Sequence, residues 1–142
     1  MKPILCRESD LGTRIAHPND AMRIMLPMME TDVETLVVTC LDAHRRVLTA
    51  YVAAVGTATA VECEPRSVFA PALVIGASHI MIAHNHPNGN PTPSQADLDT
   101  TRLLEACARI LGIGFVDHLV LTRRGAYTSI AEYNENGIIH HT

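Results

Sequence analysis

A stretch of eight residues, His86–Pro93, constrains the fold of this chain more than any other feature. It reads HPNGNPTP, and its three prolines and one glycine exclude a continuous helix or strand. The apolar run Ser78–His84 before it predicts a short buried strand. The segment Ser94–Leu111 after it has helical periodicity and ends at Gly112. The sequence therefore predicts a strand, a stiff loop and a long helix in succession.

Further elements are predicted on both sides of this unit. Runs rich in β-branched residues that are separated by short turns predict hairpins. A capping residue or proline followed by apolar residues at helical spacing predicts a helix. The tail to Thr142 is expected to be frayed. The predicted elements are a short helix capped by Asn19 and distorted at Pro27, strands Glu34–Leu41 and Arg46–Val55 joined by a turn at 42–45, a third apolar stretch to Cys63, a helix over Pro65–Leu73, and a final hairpin of Phe115–Leu121 and Ala126–Ile130.

Length and composition predict one globular domain over residues 1–142. Of the residues, 47% are hydrophobic and 18% are charged, which is enough apolar surface for a packed core. The net charge is -4 and the arginines are scattered, so the chain has no basic face. This charge pattern argues against nucleic-acid binding.

Three observations bear on the compartment. The apolar runs are shorter than the roughly 20 residues of a membrane-spanning helix. The N-terminal residues lack the apolar core of a secretory signal. The four cysteines form no C-x-x-C pair, so we expect reduced thiols. Together these features predict a cytoplasmic protein that does not cross a membrane.

His84 and His86 are two residues apart at a predicted strand end, so both side chains face the same side. Asp97 lies near the start of the long helix, within about 20° of the inward-facing Leu104 at 100° per residue. Two histidines and one carboxylate with an open fourth position are the composition of a catalytic zinc site. The spacing therefore predicts a metal site made of these three side chains.

Other interpretations of the same residues remain open. Ser94 and Asp97 also form the S-x-x-D pattern of a capping box, which satisfies free amides at a helix start. Two histidines and a carboxylate would equally make the facial triad of a non-haem iron oxygenase. The long helix that supplies the aspartate disfavours that class, because such triads usually line β-barrels.

Hydrolysis by a metal-activated water also needs a group that accepts a proton. Glu34 is the candidate, because it stands at the head of a predicted strand with the parity of Leu36 and Val38. An isolated acid at a strand end is otherwise a solvated residue. Residue type alone favours that second interpretation.

Glu34, His84-Asn85-His86, Ser94 and Asp97 match the JAMM metalloprotease motif, E…H-x-H-x(7)-S-x-x-D, with its spacing intact. The segments PRSVFAPAL, IAHNHPNGNPTPSQADLDTT and LGIGFVDHLVL resemble the RadC family of bacterial JAB-domain proteins, over residues 17–132. The resemblance implies an α/β fold in which helices flank a mixed sheet, as in JAB1/MPN domains and similar to cytidine deaminases.

The resemblance also implies a role for each motif residue. His84, His86 and Asp97 would ligate one Zn²⁺, Glu34 would be the general base, and Ser94 would stabilise the oxyanion. The implied activity is hydrolysis of peptide or isopeptide bonds in a protein substrate.

Two alternatives to the implied hydrolase are an interaction module without turnover and, as the family label suggests, a DNA-repair protein or metal-dependent nuclease. Full-length relatives carry a helix-hairpin-helix region, for which 142 residues leave no space. We therefore favour the hydrolase over a DNA-binding protein. The family's Asp117-His118 pair predicts a buried, hydrogen-bonded histidine, with support of a metal ligand as the alternative.

Overall fold

The computed structural model of the protein describes residues 5–56 and 63–135. Five strands form one mixed sheet in the order β2-β1-β3-β4-β5. Strand β1 is antiparallel to β2 and β3, β3 is parallel to β4, and β4 is antiparallel to β5. The strands are β1 (Thr35–Leu41), β2 (Val47–Val55), β3 (His79–Asn85), β4 (Gly114–Leu121) and β5 (Tyr127–Ser129).

Four α-helices and two short 3-10 helices accompany the sheet in the described residues. The α-helices are α1 (Pro18–Met25), α2 (Pro65–Ile75), α3 (Gln95–Leu111) and α4 (Ile130–Glu135), and the 3-10 helices are Glu8–Asp10 and Leu26–Met28. None of the described helices combines the length and apolar character that a membrane span requires. The predicted α/β fold with a mixed sheet between helices is confirmed.

Helices cover the sheet on both sides, and all seven residues of β1 are therefore buried. Because side chains alternate between the faces of a strand, residues of opposite parity enter two different cores. His84 has the parity of the residues that face α2 and α3. The core on the α1 side includes Met25, Val37, Leu41, Met81 and Leu119, and the core under α2 and α3 includes Leu36, Val38, Phe69, Ile82 and Leu104.

Most predicted elements are confirmed, with ends that differ by one or two residues. Ser94 caps α3, and Gly112 ends it in the left-handed conformation at φ 73°. Leu111, the last residue of this helix, is 41% exposed. The four cysteines are free thiols, as predicted.

One predicted helix cap was wrong, and one helix was missed. His17, and not Asn19, caps α1: the His17 ring accepts a hydrogen bond from the Asn19 backbone N–H, and Pro18 occupies the first helical position. The expected strand Ala126–Ile130 is confirmed as β5, which is one residue shorter at each end, and the chain then turns into α4, which was not predicted. The apolar stretch expected up to Cys63 and the tail beyond residue 135 lie outside the described residues.

Helix α3 is held to the sheet by a narrow apolar stripe, which predicts a contrast between two adjacent leucines. Leu104 is fully buried, whereas Leu103 is 49% exposed. We expect Leu104→Ala to lower the free energy of unfolding by about 2–5 kcal/mol, because it leaves a cavity in the core. Leu103→Ala should cost less than about 1 kcal/mol. Urea unfolding of both variants tests this, and equal losses would contradict the assignment of the buried face.

Candidate metal centre

The end of β3 and the start of α3 bring three of the predicted site residues together. His84 lies in β3, His86 is the first residue after that strand, and Asp97 lies in the first turn of α3. One Asp97 carboxylate oxygen, Oδ1, is 3.0 Å from His84 Nε2, and the other, Oδ2, is 3.0 Å from His86 Nε2. The two Nε2 atoms are 3.1 Å apart.

Glu34 joins this group from a distant part of the chain. It immediately precedes β1, is buried, and its Oε1 lies 3.8 Å from His86 Nε2. The ligand atoms of Glu34, His84 and His86 lie within 4.8 Å of one another, so these three side chains could hold one metal ion. Glu34 is therefore not the solvated residue at a strand end that its residue type alone favoured.

The donor geometry fits a small tetrahedral metal ion. Ligand atoms about 2.0–2.1 Å from a tetrahedral Zn²⁺ lie about 3.3 Å from one another. The 3.1 Å between His84 Nε2 and His86 Nε2 is close to that edge length, and each of these nitrogens lies 3.0 Å from a different oxygen of Asp97. On the other side of its ring, His86 Nδ1 donates to the backbone oxygen of Asn90 at 2.8 Å, which leaves Nε2 directed at the site.

The pKa values of the acidic side chains diverge. Burial raises the pKa of Asp97, but hydrogen bonds from His84 and His86 outweigh it and the net pKa lies far below its usual range. Burial raises the pKa of Glu34, and the nearby imidazoles offset only part of that rise. The hydrogen bond with Asp97 raises the pKa of His86. The site thus holds one firmly ionised carboxylate and one that takes up a proton more readily.

Ser94 takes part in the predicted capping box. Its Oγ accepts a hydrogen bond from the Asp97 backbone N–H at 3.1 Å, and its own N–H donates to Asp97 Oδ2 at 2.8 Å. Asp97 therefore caps α3 and contacts both histidines at once, so the two interpretations of this residue are compatible. Ser94 also borders a cleft of about 260 Å³ beside the site, which is lined by Glu34, His86, Pro87, Asn88, Asn90, Thr92 and Ser94.

His118 is buried behind His84, as expected for a hydrogen-bonded core histidine. Its Nε2 lies 2.7 Å from His84 Nδ1, and its Nδ1 lies 2.6 Å from Thr101 Oγ1. The neighbouring Asp117 points elsewhere: it accepts hydrogen bonds from the His118 and Ala131 backbone N–H groups, the latter at the start of α4. Only the histidine of this pair contacts the candidate metal centre.

Asn85, the residue between the two histidines, has a role that sequence reasoning missed. Its side chain accepts a hydrogen bond from the Thr35 N–H at 2.7 Å and donates to the backbone oxygens of Glu30 at 2.9 Å and Val33 at 3.1 Å. These bonds fasten the segment that carries Glu34 to the end of β3. Its position inside the H-x-H pattern was the available signal, but its partners are about fifty residues away and are set by the β1–β3 pairing.

Comparisons with known proteins agree with the family resemblance. A family model for the RadC-like JAB domain matches residues 15–137. A UPF0758 protein of Thermosynechococcus vestitus is 43% identical over 70% of this chain and 39% of its own length. UPF0758 proteins of Thermotoga maritima and Methanosarcina barkeri are 39% and 32% identical, over 76% and 84% of this chain and 48% and 52% of their own lengths. The chain thus spans about half the length, or less, of these curated relatives.

The contacts of Asn85 predict a large effect of its removal on stability. Asn85→Ala should lower the free energy of unfolding by roughly 2–4 kcal/mol, because one buried and two partly buried hydrogen bonds are lost and the Thr35 N–H is left without its acceptor. The control is Asn88→Ala in the loop that follows β3, where the side chain is exposed. Urea unfolding compares the two, and similar midpoints would show that Asn85 is not an anchor of the Glu34 segment.

Proposed function

This chain belongs to the RadC-like JAB domain family, and from its site we propose that it is a zinc-dependent hydrolase of peptide or isopeptide bonds. The observation that carries the proposal is the convergence of two imidazole Nε2 atoms and a carboxylate within 3.1 Å, with a second buried carboxylate beside them. The metal, the roles of the residues and the substrate class are all parts of this proposal.

His84, His86 and Asp97 would hold the metal, and Glu34 would remain free of it. The division rests on distance, since Asp97 contacts both imidazoles at 3.0 Å whereas the nearest contact of Glu34 is 3.8 Å. Asp97 is also fixed in place by the Ser94 N–H. When bound, Zn²⁺ would lower the pKa of a coordinated water to about 7 and polarise the scissile carbonyl.

Glu34 would act as the general base and then as the general acid. A carboxylate with a raised pKa accepts a proton from the attacking water and returns it to the leaving nitrogen more readily than an ordinary carboxylate does. Ser94 would stabilise the oxyanion. Its Oγ accepts the hydrogen bond from Asp97 N–H, so its own hydroxyl proton remains available to donate into the cleft.

The lining of the cleft supports a peptide-like substrate over a nucleic acid. Asn88, Asn90 and Thr92 offer amide and hydroxyl groups that match the hydrogen-bonding pattern of a peptide backbone. The residues that line this cleft include no Lys or Arg, whereas recognition of a phosphate backbone depends on such cations. The nuclease alternative therefore lacks a binding surface in this part of the site.

The metal content is the first test. We expect protein purified without an affinity tag or added metal to contain about one zinc per chain by elemental analysis, and His84→Ala to contain none. Iron in place of zinc would favour the oxygenase alternative. Protein that takes up no metal after zinc is supplied would contradict the proposed hydrolase and favour an interaction module.

The two carboxylates should respond differently to substitution. Glu34→Gln should keep the metal and lose turnover of quenched-fluorescent peptides or lysine-linked isopeptides by at least about 10²-fold, because the proton acceptor is removed. Asp97→Ala should lose the metal itself.

The matched control is Glu30→Gln, which changes an exposed glutamate in the same segment and should retain full turnover. Full turnover by Glu34→Gln would remove the general-base assignment. Metal-dependent cleavage of DNA that His84→Ala abolishes, without cleavage of peptides, would replace the proposed function with a nuclease.

A further inference from the structure

We propose that Thr101 and His118 are positioning residues that hold His84 in the tautomer whose Nε2 lone pair faces the metal centre. The inference rests on the proposed function, since it concerns how this chain presents His84 to a metal. It adds two residues that the metalloprotease motif does not contain. Thr101 lies in α3 and His118 lies in β4, and the two side chains meet between that helix and the sheet, behind the proposed ligands.

The three side chains form one continuous hydrogen-bonded line in the core. The Thr101 hydroxyl donates to the Asp97 backbone oxygen at 2.9 Å. Thr101 Oγ1 lies 2.6 Å from His118 Nδ1, and His118 Nε2 lies 2.7 Å from His84 Nδ1. The exposed fractions of Thr101, His118 and His84 are 3%, 1% and 1%, so water does not compete for these groups.

The Asp97 carbonyl determines the direction of every bond in this line. A carbonyl oxygen only accepts, so the single hydroxyl proton of Thr101 is used there, and its oxygen must accept from His118 Nδ1–H. A neutral imidazole carries one N–H, so His118 Nε2 is an acceptor and receives the proton of His84 Nδ1. His84 Nε2 then has its lone pair available for a metal held with His86 and Asp97, whereas without a metal the same nitrogen lies 3.0 Å from Asp97 Oδ1.

The opposite direction would disable the site. If His118 donated from Nε2, His84 Nδ1 would be the acceptor, and the proton of His84 would sit on Nε2 where the metal must bind. A metal binds neutral imidazole through a nitrogen lone pair, and the hydrogen bond on the other ring nitrogen decides which one is offered. His86 reaches the same state by a simpler contact, because its Nδ1 donates directly to the Asn90 carbonyl.

The test compares Thr101→Val, which removes the hydroxyl at nearly constant volume, with Thr101→Ser, which keeps it. Long-range ¹⁵N–¹H NMR of zinc-loaded protein reports which ring nitrogen of His118 carries the proton. We expect Nδ1–H on His118 in wild type and Thr101→Ser, and a displaced Nδ1–H signal in Thr101→Val, whose side chain has no acceptor for it. Zinc affinity, measured by competition with a chelator, should fall about 10–100-fold in Thr101→Val and stay near wild type in Thr101→Ser.

The outcomes separate this inference from the proposed function. Nε2–H on His118 in the zinc-loaded wild type, or an unchanged His118 signal and zinc affinity in Thr101→Val, would overturn this inference whatever the enzyme hydrolyses. The expected tautomers in a protein that cleaves no peptide would support this inference and would count only against the proposed hydrolase.

A second pair of variants keeps the inference testable if Thr101→Val does not fold. His118→Gln supplies a carbonyl that can accept from His84 Nδ1, so it should retain zinc binding. His118→Leu offers no acceptor and should lose zinc affinity to the same extent as expected for Thr101→Val. Equal zinc affinity in the two variants would overturn the proposal.

Discussion

The side chain of Asp97 joins the start of α3 to both histidines, and the arrangement of the site depends on it. One oxygen contacts His84, while the other contacts His86 and accepts from the Ser94 N–H. A helix begins where side chains satisfy its free amides, and Asp97, which completes the capping box with Ser94, also sets the distance between α3 and the end of β3. The capping of α3 and the positions of the proposed ligands thus depend on the same carboxylate. The stiff loop between His86 and Ser94 keeps the helix start close to the end of β3.

The parts of this site that follow from local geometry could be predicted from the sequence. His84, His86 and Asp97 lie within one strand-loop-helix unit, and the periods of strand and helix are enough to direct them at each other. The contacts of Asn85, Thr101 and His118 were not predictable in this way, because they depend on which strands pair and in which register. The same holds for α4, whose first turn is capped from β4 by Asp117, and for the cap of α1, where the sequence pattern favoured Asn19 over His17.

The two histidines at the centre are held in different ways. His86 is directed by the carbonyl of Asn90 in a surface loop, whereas His84 is directed by a line of buried side chains that ends at the backbone of α3. A loop carbonyl can move with its loop, but the buried line connects β3, β4 and α3. His84 is therefore the fixed reference of the site, and His86 is the ligand whose position depends on the conformation of the loop beside the cleft.

The attachment of the Glu34 segment by Asn85 also bears on how the molecule folds. His86 and Asp97 are separated by eleven residues, whereas Thr35 and Asn85 are separated by fifty. Closing the longer loop costs roughly 1 kcal/mol more in chain entropy and requires β1 to join β3. The three proposed ligands can therefore come together in a partly folded chain, before the proposed base arrives. The proposed metal site would then be assembled before the proposed hydrolytic site, which would require the complete sheet.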